Sequence, residues 1–278
     1  ELDKYICAGI TSDHECSDVG EAIEKIRKGQ WVMIRQGTAA RNLAELLPLF
    51  DHAYSHRCVL VTDDRHPADL IRDGHIDNII RLAARGGKSV ITAIKMATIQ
   101  AAQCFGLRFV GAVAPGYRAD LLVLNDLNTV DIEDVYSGGE KVVECKQMKA
   151  FDRPKIDGGL CETVHNSFHT KELTIADFHI EENSNKCRVI EIIPGQLLTG
   201  EQVCEIDWSK NNGIDTTRDI LKLAVIERHK NTGHIGLGFI KGIGIKNGAI
   251  ASSVSHDSHN IIVIGSNDEN MVIAANNI

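Results

Sequence analysis

The residues best suited to chemistry in this sequence lie where apolar runs give way to polar ones. His14 stands in TSDHE, just after YICAGI, and Asp63 and Asp64 close the run CVLVTDD. A neutral histidine at a strand end is a good metal ligand. A carboxylate at the end of a buried strand is costly to desolvate unless it is paired or coordinated. We therefore expect a metal or proton-transfer role, with a surface or packed His14 and a helix-capping Asp64 as the alternatives.

A second polar segment precedes the apolar run IIVIG near the end of the chain. His256, Asp257 and His259 form SHDSHN. Two imidazoles and a carboxylate within four residues are suited to binding a metal or moving protons. The alternative is a polar turn that leads into a strand. The local pattern leaves both interpretations open.

The glycine-rich run GHIGLGFIKGIGIKNG invites a dinucleotide-binding interpretation, but the pattern is weak. It contains GLGFIKGIG, yet no GxGxxG follows a convincing strand with an acid about 20 residues later. We expect tight turns and close backbone packing there instead. The eight cysteines form no CxxC, which favours free thiols in a reducing compartment over a zinc or redox site.

The elements that position these residues change along the chain. In residues 1–108, strand-like and helix-like stretches alternate, which predicts parallel β/α units. Helices are predicted at Asp18–Lys28, Thr38–Phe50, His75–Arg85 and Val90–Phe105, the last capped by Thr92, and strands at 31–35 and 58–64.

Later residues favour mostly β structure. Strands are predicted at 119–125, 129–139, 141–145, 187–194 and 260–265, a helix around Thr217–Glu227, and a connector at 151–170. The Gly138–Gly139 pair fits a hairpin turn.

Composition excludes several classes of protein. The 278 residues include 43% hydrophobic and 24% charged side chains, which is typical of a folded globular protein and not of disorder. The net charge of −8 argues against nucleic acid as a partner. No apolar run approaches the roughly 20 residues of a membrane span.

Several segments together resemble known proteins. TAIKMATIQAAQCFGL (92–107) and GAVAPGYRADLLVLND (111–126) resemble the segment that closes the barrel in the amidohydrolase superfamily. TSDHE, MIRQGTAARNL, VTDDRHPADLIRDGHID and SVSHDSHNIIVIG are similar to the bacterial adenine deaminase family. The resemblance spans essentially the whole chain.

This resemblance implies an α/β fold in three parts. Residues 1–108 are expected to be the C-terminal part of a metal-dependent (β/α)8 barrel. Residues 109–165 are expected to form a small β-sandwich segment and connector, and residues 166–278 an α+β C-terminal domain.

The resemblance also implies an activity. Members of the family hydrolyse adenine to hypoxanthine and ammonia in purine salvage, with two divalent metals, of which we expect manganese and keep iron and zinc as alternatives. His14 and Asp63 match metal ligands, and Asp63 also matches the proton shuttle. Asp64 is expected to orient substrate or hydroxide, and His256, Asp257 and His259 match a family motif that we interpret as substrate-binding. A cytoplasmic homo-oligomer is expected, without membrane or nucleic-acid partners.

One departure from the family pattern is important. The family takes further metal ligands from an HxH pair and from other strands, and no HxH occurs in this sequence. We therefore expect the natural protein to be longer and this chain to be its C-terminal portion. The alternatives are another amidohydrolase (a cytosine deaminase, dihydroorotase or N-acetylglucosamine-6-phosphate deacetylase) or a catalytically empty fragment or assembly module.

Overall fold

The computed structural model describes residues 1–194 and 198–278. Its contacts divide the chain into two compact units, Glu1–Asp152 and Arg153–Ile278. Both contain helices and sheets, so the α/β class is confirmed. The three-part division expected from the sequence stays a prediction.

A three-stranded parallel sheet is the centre of the first unit. Its strands, in spatial order, are β1 (Ser12–Asp13), β2 (Trp31–Arg35) and β3 (Cys58–Val61). The apolar run in β2 is buried from Val32 to Ile34, as expected of a central parallel strand. The strands predicted at 31–35 and 58–64 are confirmed, although β3 ends at Val61 and Asp63 and Asp64 lie in the loop beyond it.

Seven short helices accompany this sheet. They are α1 (Leu2–Cys7), α2 (Val19–Arg27), α3 (Leu43–Leu46), α4 (Pro67–Asp73), α5 (Ile76–Arg85), α6 (Val90–Ala97) and α7 (Ile99–Cys104), with 3-10 turns at Leu47–Asp51 and Ser55–Arg57. The local signals explain α2, because Asp18 caps its first turn and Ala22 and Ile26 are buried on one face. The core of the unit joins these helices to the sheet through Leu46, Phe50 and Met96.

The predicted helix Thr38–Phe50 is wrong over its first five residues. Thr38 uses its hydroxyl to bond Asp69, and the backbone N–H groups of Ala39 and Ala40 donate to Asp64. Because these groups bond to a neighbouring loop, they do not form a helical turn, and α3 begins only at Leu43.

The predicted helix Val90–Phe105 is broken at Thr98. Thr98 has φ −126° and ψ −95°, which separates α6 from α7. Its hydroxyl donates to Ile94 O at 2.7 Å, a side-chain bond that competes with the helical ladder. Ser89, not Thr92, caps α6, and its hydroxyl accepts the Thr92 N–H.

A four-stranded antiparallel sheet completes the first unit. Its strands run in order β4 (Leu121–Asp126), β5 (Asp131–Ser137), β6 (Glu140–Glu144) and β7 (Gln147–Met148). Gly138 and Gly139 join β5 to β6 with φ values of 59° and 90°. Two successive positive φ values suit a tight hairpin, so the predicted turn is confirmed.

The second unit is built on a six-stranded mixed sheet. Its strands are β8 (Lys186–Ile192), β9 (Thr199–Glu205), β10 (Leu221–Ile226), β11 (Ile235–Lys241), β12 (Ala249–Ser252) and β13 (Ile261–Gly265), in spatial order β12-β13-β10-β11-β8-β9. Its helices are α8 (Gly158–His165) and α9 (Asp268–Asn276), with 3-10 turns at Ile175–Phe178 and Asn211–Gly213.

Two predictions for this unit are wrong. The helix expected around Thr217–Glu227 is strand β10, which pairs on both sides and is largely buried. Its apolar residues lose more by exposure than they gain from helix propensity, so the sheet prevails. The connector expected at 151–170 contains α8, which Asp157 caps by accepting the Leu160 N–H.

A buried ion pair lies beneath the sheet of the second unit. Lys222 on β10 is fully buried, and its Nζ donates to Asp268 at 2.6 Å and to Phe178 O at 2.9 Å. Asn212 donates to the other Asp268 oxygen at 2.9 Å. These bonds replace the water that both charges lose on burial.

The glycine-rich run also takes its expected form. It contains β11 and then two turn glycines, Gly242 (φ 98°) and Gly244 (φ 81°). Their N–H groups each donate to the Asp219 carboxylate at 2.8 Å.

Across the described parts of the chain, no helix combines the length and apolar character needed to span a membrane.

Candidate active site

The candidate site lies at the carboxyl ends of the three parallel strands. His14 follows β1, Arg35 ends β2, and Asp63 follows β3 by two residues. Since carboxyl ends of parallel strands meet at one edge of a sheet, these residues are brought to the same edge. It is the edge at which α/β proteins commonly hold their reacting groups.

Arg35 is the centre of this edge. Its side chain is only 5% exposed. Nη1 and Nη2 donate to the two oxygens of Glu15 at 3.0 and 2.8 Å, and Nη1 also donates to Asp63 Oδ2 at 2.7 Å. Burial acts to lower the pKa of Arg35, but the bonds to Glu15 and Asp63 outweigh it and raise that pKa. The guanidinium is therefore a fixed positive charge between two carboxylates.

His14 joins the cluster through its neighbour Glu15. The His14 Nε2 lies 3.3 Å from Glu15 Oε1, and the imidazole is 44% exposed. A ring held at one nitrogen and accessible at the other is suited to binding a metal. This exposure contradicts the packed alternative for His14 and is compatible with both a surface histidine and a metal ligand, so the metal role stays a prediction.

Asn42 fixes the turn that carries His14 and Glu15. It is buried, and its Nδ2 donates to the carbonyls of Cys16 at 3.0 Å and His14 at 3.3 Å. Its Oδ1 accepts the N–H of Arg35 at 2.7 Å. One amide therefore ties the turn after β1 to the end of β2.

A second set of contacts anchors the same turn from α2. Asp13, Cys16 and Glu21 place ligand-type atoms within 4.8 Å of one another, a spacing that suits a metal. Lys25 fills this cluster, because its Nζ donates to Asp13 and, at 2.6 Å, to Glu21. Burial, with the neighbouring Asp13 charge, raises the pKa of Cys16 to about 12. The thiol therefore stays protonated and donates to Asp13, so the cluster is a structural anchor.

Asp64 fastens a loop and does not cap a helix. Its Oδ2 accepts the N–H groups of Ala39 at 2.7 Å and Ala40 at 3.4 Å. A Cβ on Gly37 would lie 1.6 Å from Asp64 Oδ1, so only glycine fits against this carboxylate. The helix-capping alternative is wrong, because α4 begins after His66 without a side-chain cap.

Asp63 has an unusual backbone. Its φ of 50° lies in the left-handed region, which aspartate tolerates better than most residues. The carboxylate is 34% exposed, and within the described residues only its Oδ2 takes a hydrogen bond, from Arg35. One oxygen is thus held and the other is accessible.

The SHDSHN segment lies in the second unit, in the loop between β12 and β13. His256 Nδ1 is 3.0 Å from Asp257 Oδ1, and these side chains are 79% and 91% exposed. The loop is held through its main chain, because Arg228 donates to His259 O at 2.5 Å and His229 bonds Ser258 O at 2.8 Å. The substrate-binding role predicted for this segment stays a prediction.

We call His14, Glu15, Arg35, Asn42 and Asp63 the strand-end cluster. Three of these residues are not among the predicted site residues. Arg35 ends the apolar run WVMIR, the same signal that singled out Asp63. Glu15 directly follows His14, and its role depends on Arg35, 20 residues away. Asn42 carried no signal, because it fell within the predicted helix Thr38–Phe50.

Family models match two parts of the chain. Residues 22–142 match the amidohydrolase family, and residues 196–278 match the adenine deaminase C-terminal domain. The first match covers β2, β3, β4, β5 and the start of β6, and the second covers most of the six-stranded sheet. Two of the three parallel strands of the first unit therefore lie in the part of the chain that is similar to amidohydrolases.

Curated relatives match almost the entire chain. An adenine deaminase from Desulfatibacillum aliphaticivorans is 45% identical, and one from Dehalococcoides mccartyi (strain 195) is 44% identical, each over 99% of this chain and 48% of that protein. The chain therefore spans about half the length of these relatives. A solved β-aspartyl dipeptidase from Fervidobacterium islandicum AW-1 is similar over 48% of this chain and 38% of its own, at 17% identity and TM-score 0.40. The whole-chain alignments and the domain match show that this chain is similar to adenine deaminases over nearly all of its length.

Proposed function

We propose that this chain is part of an adenine deaminase, which hydrolyses adenine to hypoxanthine and ammonia. The observation that carries the proposal is the 45% identity to a protein of that name over 99% of the chain. The geometry supports it, because His14 of TSDHE and Asp63 of VTDD follow β1 and β3, the two strands that flank β2, at the same edge of the sheet.

The strand-end residues suit a divalent metal. His14 offers an exposed imidazole, and Asp63 offers an oxygen that takes no hydrogen bond within the described residues. Imidazole and carboxylate together favour manganese, iron or zinc, of which manganese is our proposal. A bound metal would lower the pKa of a coordinated water toward 7 and so supply the nucleophile. The family pattern takes further ligands from an HxH pair that does not occur in this sequence, and we propose that these lie in the half of the relatives that this chain does not cover.

The chain's own residues then have distinct tasks. Asp63 accepts a proton from the attacking water and delivers it to the ring nitrogen or to the leaving ammonia. Oxygen is added at C6 of the purine, and the exocyclic amine leaves as ammonia. Asp64 keeps its proposed role of orienting substrate or hydroxide, and its Oδ2 also fixes the loop at Ala39 and Ala40.

The SHDSHN segment is the proposed substrate contact of the second unit. Its support is the match to the family motif and the high exposure of His256 and Asp257, which leaves both side chains accessible to a ligand. We further propose that the three parallel strands belong to a (β/α)8 barrel and the antiparallel sheet to a β-sandwich. The eight free cysteines support a reducing, cytoplasmic location.

The test is a comparison of substrates with the natural polypeptide that contains this chain, stripped of metal and reloaded with Mn²⁺. Adenine, cytosine, dihydroorotate and N-acetylglucosamine-6-phosphate would each be assayed for turnover. The proposal predicts hypoxanthine and ammonia in equal amounts from adenine and no turnover of the others. Turnover of another substrate in place of adenine would reject the proposal in favour of a different amidohydrolase.

A further inference from the structure

The contacts of Arg35 extend across all three parallel strands. The side chain leaves the end of β2, pairs in a fork with Glu15 beyond β1, and bonds Asp63 beyond β3. A planar guanidinium has several donors in a fixed arrangement, so it sets the direction of each carboxylate as well as its charge.

The two carboxylates would otherwise be loosely held. Glu15 is 53% exposed and Asp63 is 34% exposed, so solvent competes for both. They are also like charges at the same sheet edge, and repulsion would drive them apart without a cation between them. Arg35 is itself 5% exposed, so its own position is fixed by packing and by the Asn42 bond to its N–H.

The pattern of bonds leaves specific atoms accessible. Arg35 occupies Asp63 Oδ2, and within the described part of the chain Oδ1 takes no hydrogen bond. Arg35 also holds Glu15 against the His14 ring, 3.3 Å from Nε2. Both proposed metal ligands are therefore oriented by the same guanidinium, His14 through Glu15 and Asp63 directly.

We propose that Arg35 is a positioning residue that fixes His14 and Asp63 for metal binding and turnover through its bonds to Glu15 and Asp63. This inference rests on the proposed function. Arg35 itself contacts neither substrate nor metal in this account. Its effect is on the geometry of the residues that do.

The first unit offers a matched comparison in Arg65. Its side chain is also 5% exposed, and its Nη2 donates to Asp73 at 3.1 Å and to the carbonyl of Asp69 at 3.5 Å. It follows β3, and its side chain contacts α4 and none of the strand-end side chains. Its backbone N–H donates to the carbonyl of Asp63 at 2.9 Å, a bond that lysine at this position retains. Replacing Arg65 therefore reproduces the cost of altering a buried ion pair without disturbing His14 or Asp63.

The experiment compares Arg35→Lys with Arg65→Lys in the natural polypeptide that contains this chain. Lysine keeps the charge but loses the fork. We expect Arg35→Lys to weaken Mn²⁺ binding, measured by titration calorimetry, and to lower kcat, each by about 10- to 100-fold, while KM for adenine changes little. Arg65→Lys should leave both quantities close to wild type. Circular dichroism and the thermal midpoint would be measured for each variant.

A second variant keeps the test decisive if Arg35→Lys does not fold. Glu15→Gln removes one charged partner from a half-exposed position, and we expect Mn²⁺ affinity to fall by about tenfold, the lower end of the same range. Unchanged Mn²⁺ affinity in a folded Arg35→Lys or Glu15→Gln protein would overturn the proposal, as would equal losses in Arg65→Lys. Mn²⁺ binding by wild type without adenine turnover would reject the proposed substrate only, since the affinity comparison still tests Arg35. A wild-type protein that binds no Mn²⁺ would overturn this inference together with the metal site.

Discussion

The two segments that carry the candidate site residues hold their side chains in very different ways. At the strand ends of the first unit, His14, Glu15 and Asp63 surround a buried arginine that bonds two of them directly. In the second unit, the SHDSHN loop is held through main-chain oxygens, and its His256 and Asp257 side chains are largely exposed.

This comparison shows that the orientation of a functional side chain depends on whether it bonds to a buried, packed group. Side chains that bond to a buried, packed group keep one orientation, and they pay little ordering entropy when a ligand binds. Exposed side chains on a tethered loop keep their rotamer freedom until a ligand orders them. We therefore expect substitutions at the strand ends to affect chemistry strongly, and those in the loop to affect it weakly or only through binding.

The largest expected effect is that of Asp63→Asn in the natural polypeptide. The amide cannot take up the proton, so kcat for adenine should fall by about 10²- to 10⁴-fold with the fold intact. The control is Asp51→Asn, because Asp51 is an exposed partner of Lys88 away from the strand ends. Steady-state rates and circular dichroism check this, and an Asp63→Asn protein with wild-type turnover would remove the assigned role.

The second effect concerns the support beneath the cluster. Asn42→Ala leaves the Arg35 N–H and the carbonyls of His14 and Cys16 without their partner. We expect the free energy of unfolding to fall by about 1–3 kcal/mol, measured by urea denaturation.

Asn125→Ala is the matched control for Asn42. Asn125 bonds Glu133 at 2.7 Å on an exposed surface, so its loss should change the free energy of unfolding by less than about 0.5 kcal/mol. Equal losses of unfolding free energy in the two variants would show that the buried Asn42 amide stabilises the protein no more than an exposed amide does.

The third effect is a pH dependence in the second unit. Backbone N–H groups, first that of Thr232 and then those of Lys230 and His229, hold the pKa of Glu227 down to about 2. A lowered acid pKa stabilises the folded state above the unfolded pKa, near 4.5, and this stabilisation is lost as pH falls from there toward 2.

Glu227→Gln tests this assignment. The variant should lose less stability than wild type between pH 4.5 and 2, in thermal midpoints measured across that range. The difference is expected to be modest, because Glu227 is only partly buried and solvent screens its interactions. Parallel pH curves for the two proteins would contradict the role given to these N–H groups.

The smallest effect on stability is expected in the SHDSHN loop. His256→Ala combined with His259→Ala removes two exposed side chains and should shift the free energy of unfolding by less than about 0.5 kcal/mol. The same variant tests the predicted contact with substrate, which requires a higher KM for adenine at unchanged stability. An unchanged KM would show that the SHDSHN segment does not contact substrate and would favour the alternative of a polar turn.

Local signals explain which parts of the fold were predictable from the sequence. The strand WVMIR and the helix after Asp18 follow from an apolar run and a capped amphipathic pattern. Strand β10 was mistaken for a helix, because its two partner strands lie elsewhere in the chain and outweigh its local propensity.

The same reasoning explains what was missed at the site. His14 and Asp63 could be predicted as site residues because each follows or closes an apolar run, where a polar residue is unusual. Arg35 ends an apolar run as Asp63 does, but its partners lie 20 and 28 positions away, so the local pattern does not reveal its role. Asn42 bonds residues 26 and 28 positions away and has no local signal. The sequence therefore predicted the proposed ligands but not the side chains that orient them.

Anomalous diffraction from crystals of the natural polypeptide loaded with Mn²⁺ would show directly whether the strand ends hold the metal. The account predicts an anomalous peak within about 2.0–2.2 Å of the His14 imidazole and the Asp63 carboxylate. It also predicts that Asp63 remains bonded to Arg35 through its other oxygen. Bound Mn²⁺ elsewhere, with His14 and Asp63 free of metal, would contradict the claim that these strand ends form the catalytic centre.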